Sequence, residues 1–172
     1  MRRWRIEACY SASMFPPSRI VCLTEETVET LYLLGEDRRT VGVSGYAVRP
    51  PQVRREKPRV AAFISADVPK ILALKPDLVL TFSDLQADIV AELVRKGVAV
   101  HAFNQRDIAG ILDMIRTLGA LVGAADKADA LAQTFEARLF RGMGRPDDLG
   151  HRLGVGTDRS GGRHRHVQES FA

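Results

Sequence analysis

The sequence predicts an α/β fold: a doubly wound, mostly parallel sheet with flanking helices. Two observations carry this. From Ile71 to Phe103 the chain spells helix end, strand, helix and strand without a gap. The same alternation of short apolar runs and amphipathic stretches extends in both directions, so that five strands fall between Arg19 and Leu139. Strand, helix and strand on short connections form a parallel βαβ unit, because neighbouring parallel strands need a crossover between them.

The elements follow in order. Arg19 to Leu23 is a short apolar strand. Thr24 caps the next helix, Glu25 and Glu26 place negative charge at its positive end, and Val28, Leu31, Tyr32 and Leu34 precede a stop at Gly35. Val41 to Ser44 is the second strand, a polar, Pro-rich connection runs from Gly45 to Pro58, and Val60 to Ile64 is the third. The apolar turn of Ile71, Leu72 and Leu74 ends before Pro76, which cannot continue a helix. Leu78 to Phe82 is a continuous apolar and β-branched run of the kind buried on both sheet faces. Asp84 caps a helix with Leu85, Ile89, Val90, Leu93 and Val94 on one face; Gly97 ends it and Val98 to Phe103 is the fifth strand. Asp107 caps a helix carrying Ile108, Ile111, Leu112, Ile115, Leu118, Leu121 and Val122, weakened near its end by Gly119 and Gly123. Asp126 starts another, with Ala128, Leu131, Ala132, Phe135 and Leu139 on one side.

Composition bounds the domain plan. At 172 residues and 45% hydrophobic, the chain can bury one good core. The expected organisation is a leader over 1–17, an α/β lobe over 18–140, and a Gly/Arg/His-rich tail over 141–172, either disordered or out of frame. The leader starts positively, but Glu7 and its polar neighbours leave no apolar segment for export, and Met14 offers an alternative start. On that reading the chain as given stays in the cytoplasm, and no apolar run approaches the roughly 20 residues needed to cross a bilayer. Cys9 and Cys22 read as two free thiols. The net charge of +4 comes without interleaved aromatic and basic residues, so no nucleic-acid partner is expected. His164 and His166 lack carboxylate or Cys partners at ligand spacing, so no metal site is expected either.

Enzymatic signatures are missing: no GxGxxG follows the first strand, and no GxxxxGK[ST], HExxH or GxSxG occurs. Asp77 stands at the amino edge of its strand and reads as a turn and cap residue, since ligands of such sheets gather at the carboxyl edge. That edge gathers Glu25 and Glu26 after the first strand, Tyr46 after the second, Phe63 after the third, Phe82 and Ser83 after the fourth, and Asn104 after the fifth. Three aromatics at one mouth supply flat apolar area for a large planar ligand, with Glu25, Glu26 and Ser83 as polar contacts. No catalytic residue and no cofactor is assigned. The competing reading is a small cytosolic enzyme or regulatory domain on a flavodoxin-like sheet, its acidic pair holding a metal or acting as acid and base; a non-functional truncated product is a third.

The run RIVCLTEETVETLYLLGEDRRTVGVSGY, the pair Pro50 and Pro51, and the segment KILALKPDLVL together resemble the N-terminal lobe of the cobalamin and ferric-siderophore binding proteins of ABC importers. The resemblance covers about Arg19 to Leu139. It implies one lobe of a two-lobed, periplasmic-binding-protein-like fold, in which a long helix joins the lobes and the ligand lies between them. It further implies a segment from Asp126 that begins that helix, Tyr46, Phe63 and Phe82 facing the ligand, cobalamin or a ferric chelate as that ligand, and an ABC permease as partner. Relatives are often periplasmic or surface-anchored. No second lobe is expected among these residues, and where the family commonly has Asn-Leu-Glu, with a permease-docking glutamate, this chain has Asp67, Val68 and Pro69. Pro69 removes that carboxylate, and Asp67 offers one only from another point of the helix.

Overall fold

The computed structural model describes residues 15–143. The described residues up to Glu136 belong to one compact unit and those from Ala137 to a second. Five strands, β1 (Ile20–Cys22), β2 (Thr40–Ser44), β3 (Arg59–Ala61), β4 (Leu78–Phe82) and β5 (Val100–Phe103), form one sheet in the order β3-β2-β1-β4-β5. Every neighbouring pair is parallel, as the βαβ grammar requires. The chain steps outward from β1 to β3 and then returns to the other side of β1 for β4. The loops leaving β1 and β4 therefore diverge, which opens a crevice at the carboxyl edge.

Two-residue periodicity divides the strands between two cores. Ile20, Cys22, Leu78 and Leu80 face one side, where they meet Val28 and Leu31 of α1 (Glu25–Leu33), Leu112, Ile115 and Leu118 of α5 (Ile108–Leu121), and Ala128 and Ala132 of α6 (Ala125–Met143). Val53 of the short helix α2 (Val53–Glu56) joins them. Val21, Leu23 and Val79 face the other side, against Val68 and Ile71 of α3 (Val68–Ala73) and Ile89 and Leu93 of α4 (Ala87–Arg95). Burial on both faces is why β1 is apolar throughout and β4 is apolar but for Thr81. Each fully buried side chain, such as Leu80 or Leu93, contributes about 1.5–3 kcal/mol.

Several local expectations are corrected. The third strand ends at Ala61 instead of Ile64. Ala62 N–H donates to Ser65 O at 2.8 Å and Ala61 bridges Ala66 antiparallel, so residues 62–65 form an exposed tip carrying Phe63 and Ile64. The fifth strand starts at Val100, and the Pro-rich connection contains α2. Asp84 does not cap α4: Gln86 holds that N-cap position without a side-chain cap bond, and Ser83 caps the 3-10 turn Asp84–Gln86 that leads into the helix. Leu85 and Val94 consequently fall on the exposed side. Thr24 sits at the N-cap position of α1 without a side-chain cap bond, and the Thr27 hydroxyl donates to Thr24 O at 3.1 Å instead. Asp107 caps α5 as expected, accepting from Gly110 N–H at 2.7 Å. Gly119 does not fray that helix: it is buried where α5 meets α6, and a Cβ there would collide with Ala128 Cβ. Leu131 and Phe135 of α6 pack on the first core, while Leu139 belongs to the second unit.

At the amino edge Asp77 is a structural residue. Its carboxylate accepts from Ser18 N–H at 2.7 Å, the Ser18 hydroxyl at 3.0 Å and Arg19 N–H at 2.9 Å, joining the starts of β1 and β4. Cys22 is a buried free thiol, its pKa pushed up to about 12 by burial, so it stays protonated and unreactive. No helix among the described residues is long and apolar enough to cross a membrane. Cys9, His164, His166, the leader through residue 14 and the tail from residue 144 lie outside the described residues.

Candidate functional site

A cleft of about 340 Å³ opens at the carboxyl edge, lined by Thr24, Glu25, Glu26, Ser44, Tyr46 and Phe63. The chain brings these together through three strand exits. Thr24 to Glu26 are the turn after β1 and the first residues of α1, Ser44 ends β2, Tyr46 follows it, and Phe63 sits on the tip beyond β3. Gly45 N–H donates to Ala61 O at 2.7 Å, which pulls the β2 exit alongside β3. The Ser44 hydroxyl then accepts from Tyr46 N–H at 3.3 Å while Ala47 turns into the core, leaving Tyr46 58% exposed at the mouth. Phe63 is 37% exposed, so its ring is available without being free of the surface.

Four of the six residues expected to contact ligand, Glu25, Glu26, Tyr46 and Phe63, therefore line one cleft. Phe82 and Ser83 do not line it. Phe82 is half-buried against the first core, with the Arg106 guanidinium 5.8 Å from its ring centre. Arg106 in turn pairs with Asp84 at 3.2 Å. Ser83 is buried, with φ +58°, and its hydroxyl accepts from Leu85 N–H at 3.3 Å, so its polar group serves the turn. Asn104 is exposed, and its neighbour Gln105 reaches the site: Gln105 Nε2 donates to Glu26 Oε1 at 3.1 Å.

Two residues escaped the sequence reading. Gln105 was missed by one position at the exit of β5. Gln86 is fully buried and makes three hydrogen bonds beneath the carboxyl edge, to Phe82 N–H at 3.0 Å, Leu23 O at 3.3 Å and Phe63 O at 2.8 Å. A polar residue between Leu85 and Ile89 carries no periodic signal; only its contacts reveal it. Pro50 and Pro51, with Tyr32 and Leu33, line a separate pocket of about 380 Å³ on the outer side of α1. The Tyr32 hydroxyl donates there to Glu56 at 2.9 Å. Asp67 caps α3, accepting from Lys70 N–H at 2.9 Å, with Pro69 in the first turn.

Chemically, the carboxyl-edge cleft offers two aromatic rings and several hydrogen-bond acceptors. Among its lining residues there is no nucleophile paired with a base, and among the described residues no three His, Cys, Asp or Glu side chains converge as a metal site.

Comparison with known proteins agrees with this architecture. The family model described as periplasmic binding protein matches residues 20–141. The chain is 30% identical over 127 residues to an ABC transporter substrate-binding lipoprotein of Bacillus subtilis, covering 72% of this chain and 40% of that protein. It is 30% identical over 129 residues to a vitamin B12-binding protein of Vibrio cholerae, covering 74% of this chain and 46% of that one. The chain thus spans under half the length of these curated relatives. The solved periplasmic vitamin B12-binding protein of Vibrio cholerae superposes with a TM-score of 0.67 at 28% identity, over 81% of this chain and 52% of that one. A periplasmic heme-binding protein of Pseudomonas aeruginosa shares the fold, with a TM-score of 0.68 at 23% identity over 73% of this chain and 45% of that one. With its all-parallel sheet, its carboxyl-edge cleft and a family match across residues 20–141, the chain belongs to the periplasmic binding protein family.

Proposed function

We propose that this chain is a solute-binding lobe of an ABC importer, taking a large planar ligand of the cobalamin or ferric-chelate class on its carboxyl-edge wall. One observation carries the reading: Tyr46, exposed at the mouth of the cleft, lines it together with an accessible Phe63 and with Glu25 and Glu26. Aromatic faces supply contact area at small entropic cost, and the carboxylates accept hydrogen bonds from amide or hydroxyl groups on the ligand rim. The role is capture without chemistry, and the natural recipient of the ligand is an ABC permease. Asp67 is occupied as a helix cap, so a permease contact at this surface would have to involve other groups.

The described wall touches one side of a flat ligand while the cost of immobilising that ligand is unchanged. Binding on the order of micromolar or weaker is therefore expected. Titrating the protein with cyanocobalamin and with a ferric siderophore, followed by absorbance or calorimetry, tests this. Tyr46→Ala should weaken the observed affinity by roughly 1 kcal/mol, about five-fold, through loss of stacking. An unchanged affinity in that variant would remove Tyr46 from the site, and no saturable binding of either ligand would remove the ligand assignment.

A further inference from the structure

Gln86 lies beneath the carboxyl edge and bonds the backbone of Phe63, one of the cleft's two aromatic residues. Its side chain is completely buried, a costly place for a primary amide unless each polar end is paired. Both ends are: Oε1 accepts from Phe82 N–H at 3.0 Å, and Nε2 donates to Phe63 O at 2.8 Å and Leu23 O at 3.3 Å. The partners fix the amide orientation, since the reverse would set an N–H against an N–H and an oxygen against two carbonyls. They also lie on three different segments, the ends of β4 and β1 and the tip beyond β3.

The local backbone explains how Gln86 gets there. Ser83 adopts φ +58°, a left-handed conformation that costs a non-glycine residue and persists where surrounding contacts enforce it. It turns the chain sharply out of β4 into the 3-10 turn Asp84–Gln86, whose last residue points back under the sheet edge. The tip at 62–65 is exposed at every residue, so packing alone does little to order it. The Gln86 bond to Phe63 O fastens that tip to the sheet.

We propose that Gln86 is a positioning residue for the ligand cleft: by holding the Phe63 carbonyl it fixes where the Phe63 ring stands before ligand arrives. This rests on the ligand reading of the cleft given above. A wall whose rings are already placed loses less entropy on binding than one that must order its tip. Gln86 is not among the cleft's lining residues, and of its three bonds the one to Phe63 O is the one that reaches a ring of the wall.

The test uses the full chain, cyanocobalamin as probe, and two substitutions. Gln86→Glu keeps the size and the acceptor for Phe82 N–H but loses both donors; Gln86→Met keeps the shape and loses all three bonds. Each is made in the wild-type and in the Phe63→Ala background. Either substitution should weaken binding about five-fold when Phe63 is present and less than about two-fold when it is Ala, because the bond acts through the ring. In ligand-free protein the Ala62 amide, bonded to Ser65 O within the tip, should exchange with solvent at least about ten-fold faster. Equal losses of affinity in both backgrounds, or unchanged Ala62 exchange in both variants, would overturn the proposal. Faster Ala62 exchange in a protein that never binds cyanocobalamin would keep Gln86 as the anchor of Phe63 and sink the cobalamin reading alone.

Discussion

Asp77→Ala separates the two edges of the sheet. The wild-type carboxylate accepts three hydrogen bonds, from Ser18 N–H at 2.7 Å, the Ser18 hydroxyl at 3.0 Å and Arg19 N–H at 2.9 Å. Hydrogen bonds to a charged acceptor are stronger than neutral ones, but here Asp77 and Ser18 are half-buried and Arg19 is exposed, so water replaces part of what is lost. The reciprocal backbone bond from Asp77 N–H to Arg19 O at 3.0 Å survives the substitution. Weighing these, the loss is about 2 kcal/mol in total, which for a domain of this size lowers Tm by roughly 6–8 °C. Thermal unfolding followed by circular dichroism measures that shift, and a cyanocobalamin titration of the same variant should match wild type, because Asp77 lies at the edge opposite the cleft. Weakened ligand binding with Tm retained would refute the assignment of Asp77 to the scaffold, as would a Tm loss below about 2 °C.

Two further outcomes follow from the packing. Gly119→Ala drives a methyl group into Ala128 where α5 and α6 touch, so α6 must shift; the expected cost is about 1–3 kcal/mol in chemical denaturation, and a neutral result would mean the helices are not in that contact. His101, beside Phe103 with ring centres 4.3 Å apart, has its pKa lowered from 6.5 by burial. The unfolded chain therefore takes up this proton at higher pH than the folded one, so the contribution of His101 to stability is complete above about pH 6.5 and is lost as pH falls below it. His101→Gln should flatten the decline in stability between about pH 7.5 and 5.5; an unchanged slope would assign that decline to other groups.

The sheet was legible because β1 and β4 are buried on both faces and are apolar but for Thr81, a pattern that survives without any knowledge of contacts. Boundaries failed where a tertiary bond competes with propensity. Val60 to Ile64 reads as strand, yet the antiparallel bridge between Ala61 and Ala66 turns the chain back and leaves Ile64 70% exposed. Gly119 reads as a weak point in a helix until α6 is seen to press against it. At the cleft, strand exits placed Glu25, Glu26, Tyr46 and Phe63 correctly at the carboxyl edge, since that placement depends only on strand order and direction. Ser83 falls outside that lining because a polar residue at a strand exit can serve the ligand or the turn, and here its hydroxyl accepts from Leu85 N–H within the turn. Gln86 was invisible because its importance lies in three backbone groups distant along the chain, and nothing local marks a glutamine for burial.

The central claim is that the carboxyl-edge wall carries the ligand site, and amide and side-chain NMR perturbation mapping during a cyanocobalamin titration addresses it directly. The largest shifts should fall on Thr24, Glu25, Glu26, Tyr46 and Phe63, with Ser18, Asp77 and Arg59 at the opposite edge unchanged. Perturbations centred on the amino edge, or on the pocket of Tyr32, Leu33 and Arg49 outside α1, would contradict it.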